Sequence, residues 1–171
     1  LPALPGRGEP DSGQWDAPRD VDYVMGASLA LRRDVLEQLG GLDEGFYPAY
    51  YEDTDLCYRA KAAGLCVRYQ PRSVAVHDET TSVARESAEY HRWMGRGRLR
   101  FVLKHWTTAE FLGDFVPAER RWLRGLVAED MCQGLRDAYR DTLLALMAMP
   151  RCGVLKQERA IAEVAEKLID L

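Results

Sequence analysis

Histidine is scarce in this chain, at 3 of 171 residues, and the 4 cysteines, Cys57, Cys66, Cys132 and Cys152, form no C-x-x-C pair and have no histidines at matching spacing. That pattern argues against a structural zinc site and reads as reduced, mostly buried thiols. No run approaches the roughly 18 consecutive apolar residues of a membrane span, and the first residues lack the charged-then-apolar plan of a signal peptide. The resulting expectation is a cytoplasmic location, with the inner face of the membrane as its variant. Excess positive charge is missing too: the formal net charge is -4 and the pI near 5.5, which argues against a nucleic-acid partner that needs a broad basic footprint. There is no initiator methionine, no internal repeat and no low-complexity tract. The chain begins Leu1-Pro2-Ala3-Leu4-Pro5, and Pro, Gly and Asp dominate up to Asp16, so it reads as a piece of a longer protein that starts in a loop.

What is present is 47% hydrophobic and 29% charged residues, the composition of a globular domain with a core of its own. After the turn-rich residues 1–20, the apolar run Val21 to Leu31 predicts a buried strand, and Arg32 to Leu39 a short helix closed at Gly40-Gly41. Asp53 to Ala63 reads as a helix closed by Gly64, and Leu65 to Tyr69 and Ser73 to His77 as short strands separated at Pro71. Ser87 to His105 follows as a helix weakened by Gly95 and Gly97. Ala118 to Met147 reads as one long helix with an apolar stripe through Trp122, Leu126, Val127, Leu135, Tyr139 and Met147. Pro150 and Gly153 break it, and Val154 to Leu171 supplies a last amphipathic helix.

The residues able to carry chemistry gather at Tyr50-Tyr51-Glu52-Asp53-Thr54-Asp55. Carboxylates at a loop-to-helix junction suit the positive end of the helix dipole, and Asp55 with Arg59 makes an i,i+4 ion pair. Beside aromatic faces, the same carboxylates could also accept a hydroxyl proton from a polyhydroxylated substrate. Both readings stand for this cluster, as does a core-plugging role for the tyrosines. Asp53-Thr54-Asp55 spells D-x-D, but residues i and i+2 of a helix start point to different sides, so the pair does not address one ion. His77 closes an apolar run and precedes Asp78 and Glu79, leaving metal ligation and a structural hydrogen bond as alternatives. His91 and His105 lie within a helical stretch and carry no such pattern. Arg96, Arg98, Arg100 and Lys104 form a basic stretch, either a solvated helix face or a contact for a diphosphate or lipid phosphate.

Read in order, Gly26-Ala27-x-x-Ala30-x-Arg32-Arg33, Gly40-Gly41-Leu42-Asp43-Glu44, Tyr50 through Arg59, Ala63-Gly64, Gln70-Pro71 and Val76-His77 resemble the second half of family-2 glycosyltransferases, especially rhamnosyl- and galactofuranosyl-transferase-like members. The resemblance covers about residues 21–106. It implies an α/β fold, the acceptor-side half of a GT-A nucleotide-diphospho-sugar transferase over residues 1–106, followed by a helical extension over 107–171. It implies Asp53 as general base with Glu52 shaping the acceptor pocket, and Gly26 and Ala27 lining the sugar pocket; Tyr50, Tyr51, Arg59 and Arg98 are expected beside them as substrate-binding residues. It implies His77 as a ligand of a divalent metal, Mn2+ or Mg2+, completed only by the N-terminal half of such an enzyme. The expected partners are a nucleotide-diphosphate sugar donor and a glycan or glycolipid acceptor, with inversion at the anomeric carbon, in cell-surface glycan or cell-wall synthesis.

The alternative is a non-catalytic remnant or interaction module that keeps the acceptor-side fold and uses its helical tail, with Arg120, Arg121, Trp122, Leu123 and Arg124, for a partner or a peripheral membrane contact. A metal-dependent hydrolase built on His77, Asp78 and Asp53 lacks paired-histidine spacing. Since the implied donor-binding strands would precede Leu1, the 171-residue chain alone is expected to show no sugar transfer. An assay of the purified chain with nucleotide sugars and Mn2+ checks this, and measurable transfer would refute it.

Overall fold

A computed structural model describes residues 6, 8–77, 83–156 and 158–170, and the chain divides into two units, each with its own core. The first comprises Leu1–Glu44 and Glu52–Asp78, the second Gly45–Tyr51 and Glu79–Leu171. The boundary expected at residue 106 falls inside the second unit.

In the first unit, α1 (Arg33–Leu39) ends where Gly40 takes the left-handed conformation at φ 76°, and the Gly41 N–H donates to the Leu36 carbonyl at 3.0 Å. This is the glycine-stopped helix end anticipated from Gly40-Gly41. The next helix, α2 (Glu52–Ala62), carries Glu52, Asp53 and Asp55 in its first turn and Arg59 and Lys61 in its last, a distribution that complements the helix dipole. Gly64, at φ 80°, closes it. Cys57 and Ala60 of α2 bury against Val67, with Val21, Val24, Leu39 and Leu65 packed around them.

The strand expectations need correction. The strands β1 (Arg19–Asp20) and β2 (Arg68–Tyr69) form a two-residue antiparallel ladder, extended only by the Val21 N–H donating to the Val67 carbonyl at 2.9 Å. Beyond it, the run expected as a strand to Leu31 turns tightly at Gly26–Ser28. A strand needs a neighbour to satisfy its backbone, and among the described residues β2 offers one only as far as Val21. Ser73 to His77 likewise pairs with no described strand, leaving Val74 and Val76 at 87% and 100% exposure. Among the described residues the chain is thus mostly helical with one short ladder, and the α/β expectation holds only in part.

The second unit is helical. The Ser87 hydroxyl caps α3 (Ala88–His105) by accepting the Tyr90 N–H at 3.2 Å. Gly95 and Gly97 do not weaken this helix, because they are where other chain segments come close. A Cβ on Gly95 would stand 2.8 Å from the Ala138 Cβ, and one on Gly97 would stand 2.5 Å from the Tyr50 carbonyl oxygen. The chain then runs from α4 (Thr108–Glu110) through a wide π turn at Phe111–Phe115 into α5 (Val116–Leu123). After a turn at Gly125 come α6 (Glu129–Ala145) and finally α7 (Glu158–Ile169). The single long helix expected from Ala118 to Met147 is thus two, because Gly125 interrupts it. Its stripe divides as well: Leu135 and Tyr139 are buried, whereas Val127 is 95% exposed. The core joins Leu99 and Leu103 of α3, Phe111 and Phe115, Leu135 of α6 and Val164 of α7. Among the described residues no helix is long and apolar enough to cross a membrane.

The contact between α3 and α6 tolerates no added bulk at Gly134, where a Cβ would lie 2.2 Å from the Ala88 carbonyl oxygen, a backbone atom that cannot swing aside. Gly134→Ala is expected to lower unfolding free energy by about 1–3 kcal/mol. Gly113→Ala, with nothing within 4 Å of the new carbon, should leave it unchanged or raise it. Thermal melts of the two variants check the contrast.

Candidate functional site

The run Tyr50 to Asp55 is divided between the units, the tyrosines belonging to the second and Glu52 onward to the first. In the first unit, Asp53 lies in the opening turn of α2 and is half-buried. One carboxylate oxygen, Oδ2, accepts the Gly26 N–H at 2.7 Å; the other, Oδ1, accepts the Thr54 N–H at 2.6 Å and the Thr54 hydroxyl at 3.2 Å. A carboxylate offers about four acceptor positions. Three are therefore filled, the group is held in one orientation, and one position remains on Oδ2.

Gly26 contributes its N–H rather than a strand position. A Cβ added there would meet Asp53 at 3.6 Å, an ordinary contact, so the site uses its backbone donor and not its missing side chain. Ala27 lies exposed in the same turn. On either side of this pair, Met25 and Ser28 line an open groove of about 1160 Å³ whose walls include Trp15, Tyr23, Lys61 and Tyr69. Glu52 opens α2 and is half-buried.

Asp55 has a different task. Its side chain is fully buried and accepts from Arg59 Nε at 2.8 Å. The rest of the Arg59 fork donates to the Leu39 carbonyl at 2.6 Å and the Gly41 carbonyl at 2.7 Å. Arg59, expected among the substrate-binding residues, is instead a clamp fixing α2 to the C-terminal end of α1. The pairing with Asp55 is as anticipated, and the two carboxylates of the apparent D-x-D point to different partners.

In the second unit, Tyr50 and Tyr51 both adopt left-handed backbone, at φ 77° and 74°. Such conformations cost on the order of 1–3 kcal/mol each without glycine and persist only where their surroundings impose them. The surroundings are α3: Tyr50 packs edge-on against Tyr90 at 5.5 Å, Tyr51 lies 5.9 Å from Phe101, and Gly97 lets the helix approach their backbone. Sequence reasoning treated Gly97 as a flaw in a helix. Two glycines close together inside a helical stretch, Gly95 and Gly97, were the signal for this close approach.

The basic stretch of α3 is committed internally, which corrects the expected phosphate contact. Arg98 grips the buried Glu119 carboxylate with both terminal nitrogens and lies over the Trp122 ring at 4.7 Å. Burial works against the Arg98 charge, but its bonds to Glu119 more than offset this and raise its pKa. The Tyr139 hydroxyl donates to the same carboxylate, and burial, followed by the Glu119 charge, pushes its pKa far up. Arg98 is thus part of a core network rather than a substrate ligand. Arg100 and Lys104 both stand over the Phe46 ring, and Arg96 faces Asp141 at 3.9 Å. The network of Glu119 and Tyr139 was missed, its only sequence signal being a glutamate on the core side of α5.

His77 is exposed in irregular chain, and Asp78 and Glu79 lie outside the described residues. Among the described residues no three His, Cys, Asp or Glu side chains come together. One exposed imidazole does not fit a divalent ion, which takes several oxygen or nitrogen donors.

Residues 14–96 match the family described as glycosyltransferase-like family 2. Over 77 residues the chain is 36% identical to the pre-mycofactocin glycosyltransferase of Mycobacterium tuberculosis, covering 43% of this chain and 16% of that protein. It is 32% identical over 115 residues to the N-acetylglucosaminyl-diphospho-decaprenol L-rhamnosyltransferase of the same organism, covering 64% of this chain and 34% of that protein. The low-salt glycan biosynthesis hexosyltransferase Agl10 of Haloferax volcanii is 29% identical over 94 residues, 55% of this chain and 28% of that protein. The matched stretch is about a third or less of each of these relatives. No solved structure matches the chain.

Removing one member of a buried ion pair strands the other, at a cost of about 3–5 kcal/mol. Asp55→Ala is expected near the lower figure, since Arg59 is partly exposed and keeps its two carbonyl partners. Asp53→Asn, at a half-buried position, should cost about 1 kcal/mol or less. Urea unfolding distinguishes them, and equal midpoints would show that Asp55 is no clamp.

Proposed function

We propose, from the match of residues 14–96 to the glycosyltransferase-like family 2, that the chain is the acceptor-side part of a GT-A transferase. That enzyme moves a sugar from a nucleotide-diphosphate donor to a hydroxyl of a glycan or glycolipid, with inversion, in cell-surface glycan synthesis. The names of the relatives, among them a rhamnosyltransferase and a hexosyltransferase, support this substrate class.

The observation that carries the reading is the Asp53 carboxylate, with three acceptor positions filled by Gly26 and Thr54 and one remaining. A general base must be fixed in place yet keep a lone pair for the proton it removes. Asp53 meets both conditions. In the proposed mechanism the acceptor hydroxyl donates to the remaining position on Oδ2, and the proton passes to that oxygen as the hydroxyl oxygen bonds to the anomeric carbon and the bond from that carbon to the donor's diphosphate oxygen breaks, the nucleotide diphosphate leaving with the electron pair. The Gly26 N–H and the Thr54 donors keep the carboxylate from rotating. Glu52, which opens the same helix, shapes the acceptor pocket. The divalent metal expected of such an enzyme would neutralise the leaving diphosphate, and the described residues of this chain do not fit it.

In the full-length transferase, Asp53→Asn should lower kcat by about 10²- to 10⁴-fold while donor affinity stays near that of the parent. Steady-state kinetics and titration with the nucleotide sugar check the two halves separately. Undiminished turnover would sink the assignment of the base.

A further inference from the structure

We propose that the face of α5 bearing Arg120, Arg121 and Arg124 docks on a membrane surface rich in anionic phospholipid. This face opens on a groove of about 610 Å³ between α5 and α7. Leu112, Val116 and Pro117 form the apolar side of the groove, and the three arginines continue it at three- and four-residue steps along the same helical face. Lys167 of α7 adds a fourth cation across the groove, and Glu163 is the acidic residue among its described lining.

The cations are not equally committed. Arg120 and Lys167 share Asp170, at 3.6 and 3.8 Å. Arg121 and Arg124 are exposed and have no ion-pair partner among the described residues. This contrasts with α3, where Arg92 and Arg98 are each paired within the unit. Just past the end of α5 the chain turns at Gly125 and presents Val127 at 95% exposure, while Trp122 is 42% exposed.

Basic side chains beside an apolar strip match phosphate head groups above the first carbons of acyl chains. The formal net charge of -4 confines that attraction to one face, because an anionic surface repels the chain as a whole. A nucleic acid, which calls for a longer basic track, fits less well. Glu163, in the groove lining, and Asp170, beside Arg120, keep the patch small. The residues involved lie beyond the family match at 14–96, so the inference stands or falls independently of the catalytic reading.

The test is co-sedimentation of the 171-residue chain with vesicles of phosphatidylglycerol and phosphatidylcholine in equal parts, against phosphatidylcholine alone. Binding is expected to the mixed vesicles only and to fall as ionic strength rises. Arg121→Glu with Arg124→Glu should reduce partitioning by about thirtyfold or more, the effect of two arginines near an anionic surface. Arg136→Glu with Arg151→Glu makes the same change of charge at exposed positions of the same unit and should retain binding. All four positions are exposed, and matching thermal melts identify variants that remain folded. Absence of binding to the mixed vesicles, undiminished binding by the α5 variant, or equal loss in the control would overturn the proposal.

Discussion

The geometry of the first unit depends on one buried ion pair. Asp55 has no exposed surface, and a carboxylate in that position is tolerable only if its charge is met. Arg59 meets it from one turn along the same helix and uses the remainder of its fork on the carbonyls of Leu39 and Gly41. Those carbonyls belong to the end of α1, where the helix has run out of its own donors. A single guanidinium thereby neutralises a buried charge, caps one helix and fixes it to another. With α2 immobilised, Asp53, two residues before Asp55 and about 200° around the helix, is carried to the Gly26 N–H. The bond at Gly26 and the clamp at Arg59 are two results of one helical phase.

In the second unit the corresponding constraint is steric. Gly95 and Gly134 let α3 and α6 approach until a methyl group on either would collide, and Gly97, also on α3, admits the backbone of Tyr50 and the ring of Tyr51. Glycines inside a helix cost about 1 kcal/mol each relative to alanine. Here that cost is offset by packing that alanine would prevent, including the burial of Leu99, Val102 and Leu103 nearby. The left-handed conformations of the two tyrosines are held by this contact and by the ring packing on Tyr90 and Phe101.

Helix ends were the most legible feature of the sequence, because they are decided locally. Gly40-Gly41 and Gly64 each terminate a helix where their chemistry indicates. The i,i+4 pairing of Asp55 and Arg59 was legible for the same reason, though not the carbonyls that Arg59 also takes, which are 18 and 20 residues distant. Strands were read least well. Val21 to Leu31 and Ser73 to His77 have the composition of strands, but whether such a run becomes one depends on a neighbour that its own residues do not specify. The break at Gly125 was hidden because the apolar stripe continues in register through Leu126 and Val127, and only one of those two is packed. At the site, Asp53 was legible as a carboxylate at a helix start. The Gly26 bond that orients it, closing 27 residues, was not.

Arginine illustrates how little residue type decides without its surroundings. The cluster on α3 and the cluster on α5 look alike in sequence, and each lies beside aromatic residues. Arg98 is enclosed by Glu119, Phe115 and Trp122, so its charge is satisfied within the core and its removal would strand a buried carboxylate. Arg121, on a helix that Arg98 itself helps to anchor, and Arg124, just past its end, keep their charge in solvent. The anchoring accounts for the exposure: with Glu119 turned inward to Arg98 and Tyr139, the α5 positions at 120, 121 and 124 are directed to the other side of the helix. The internal network therefore sets which cations of this unit remain available for an external anion.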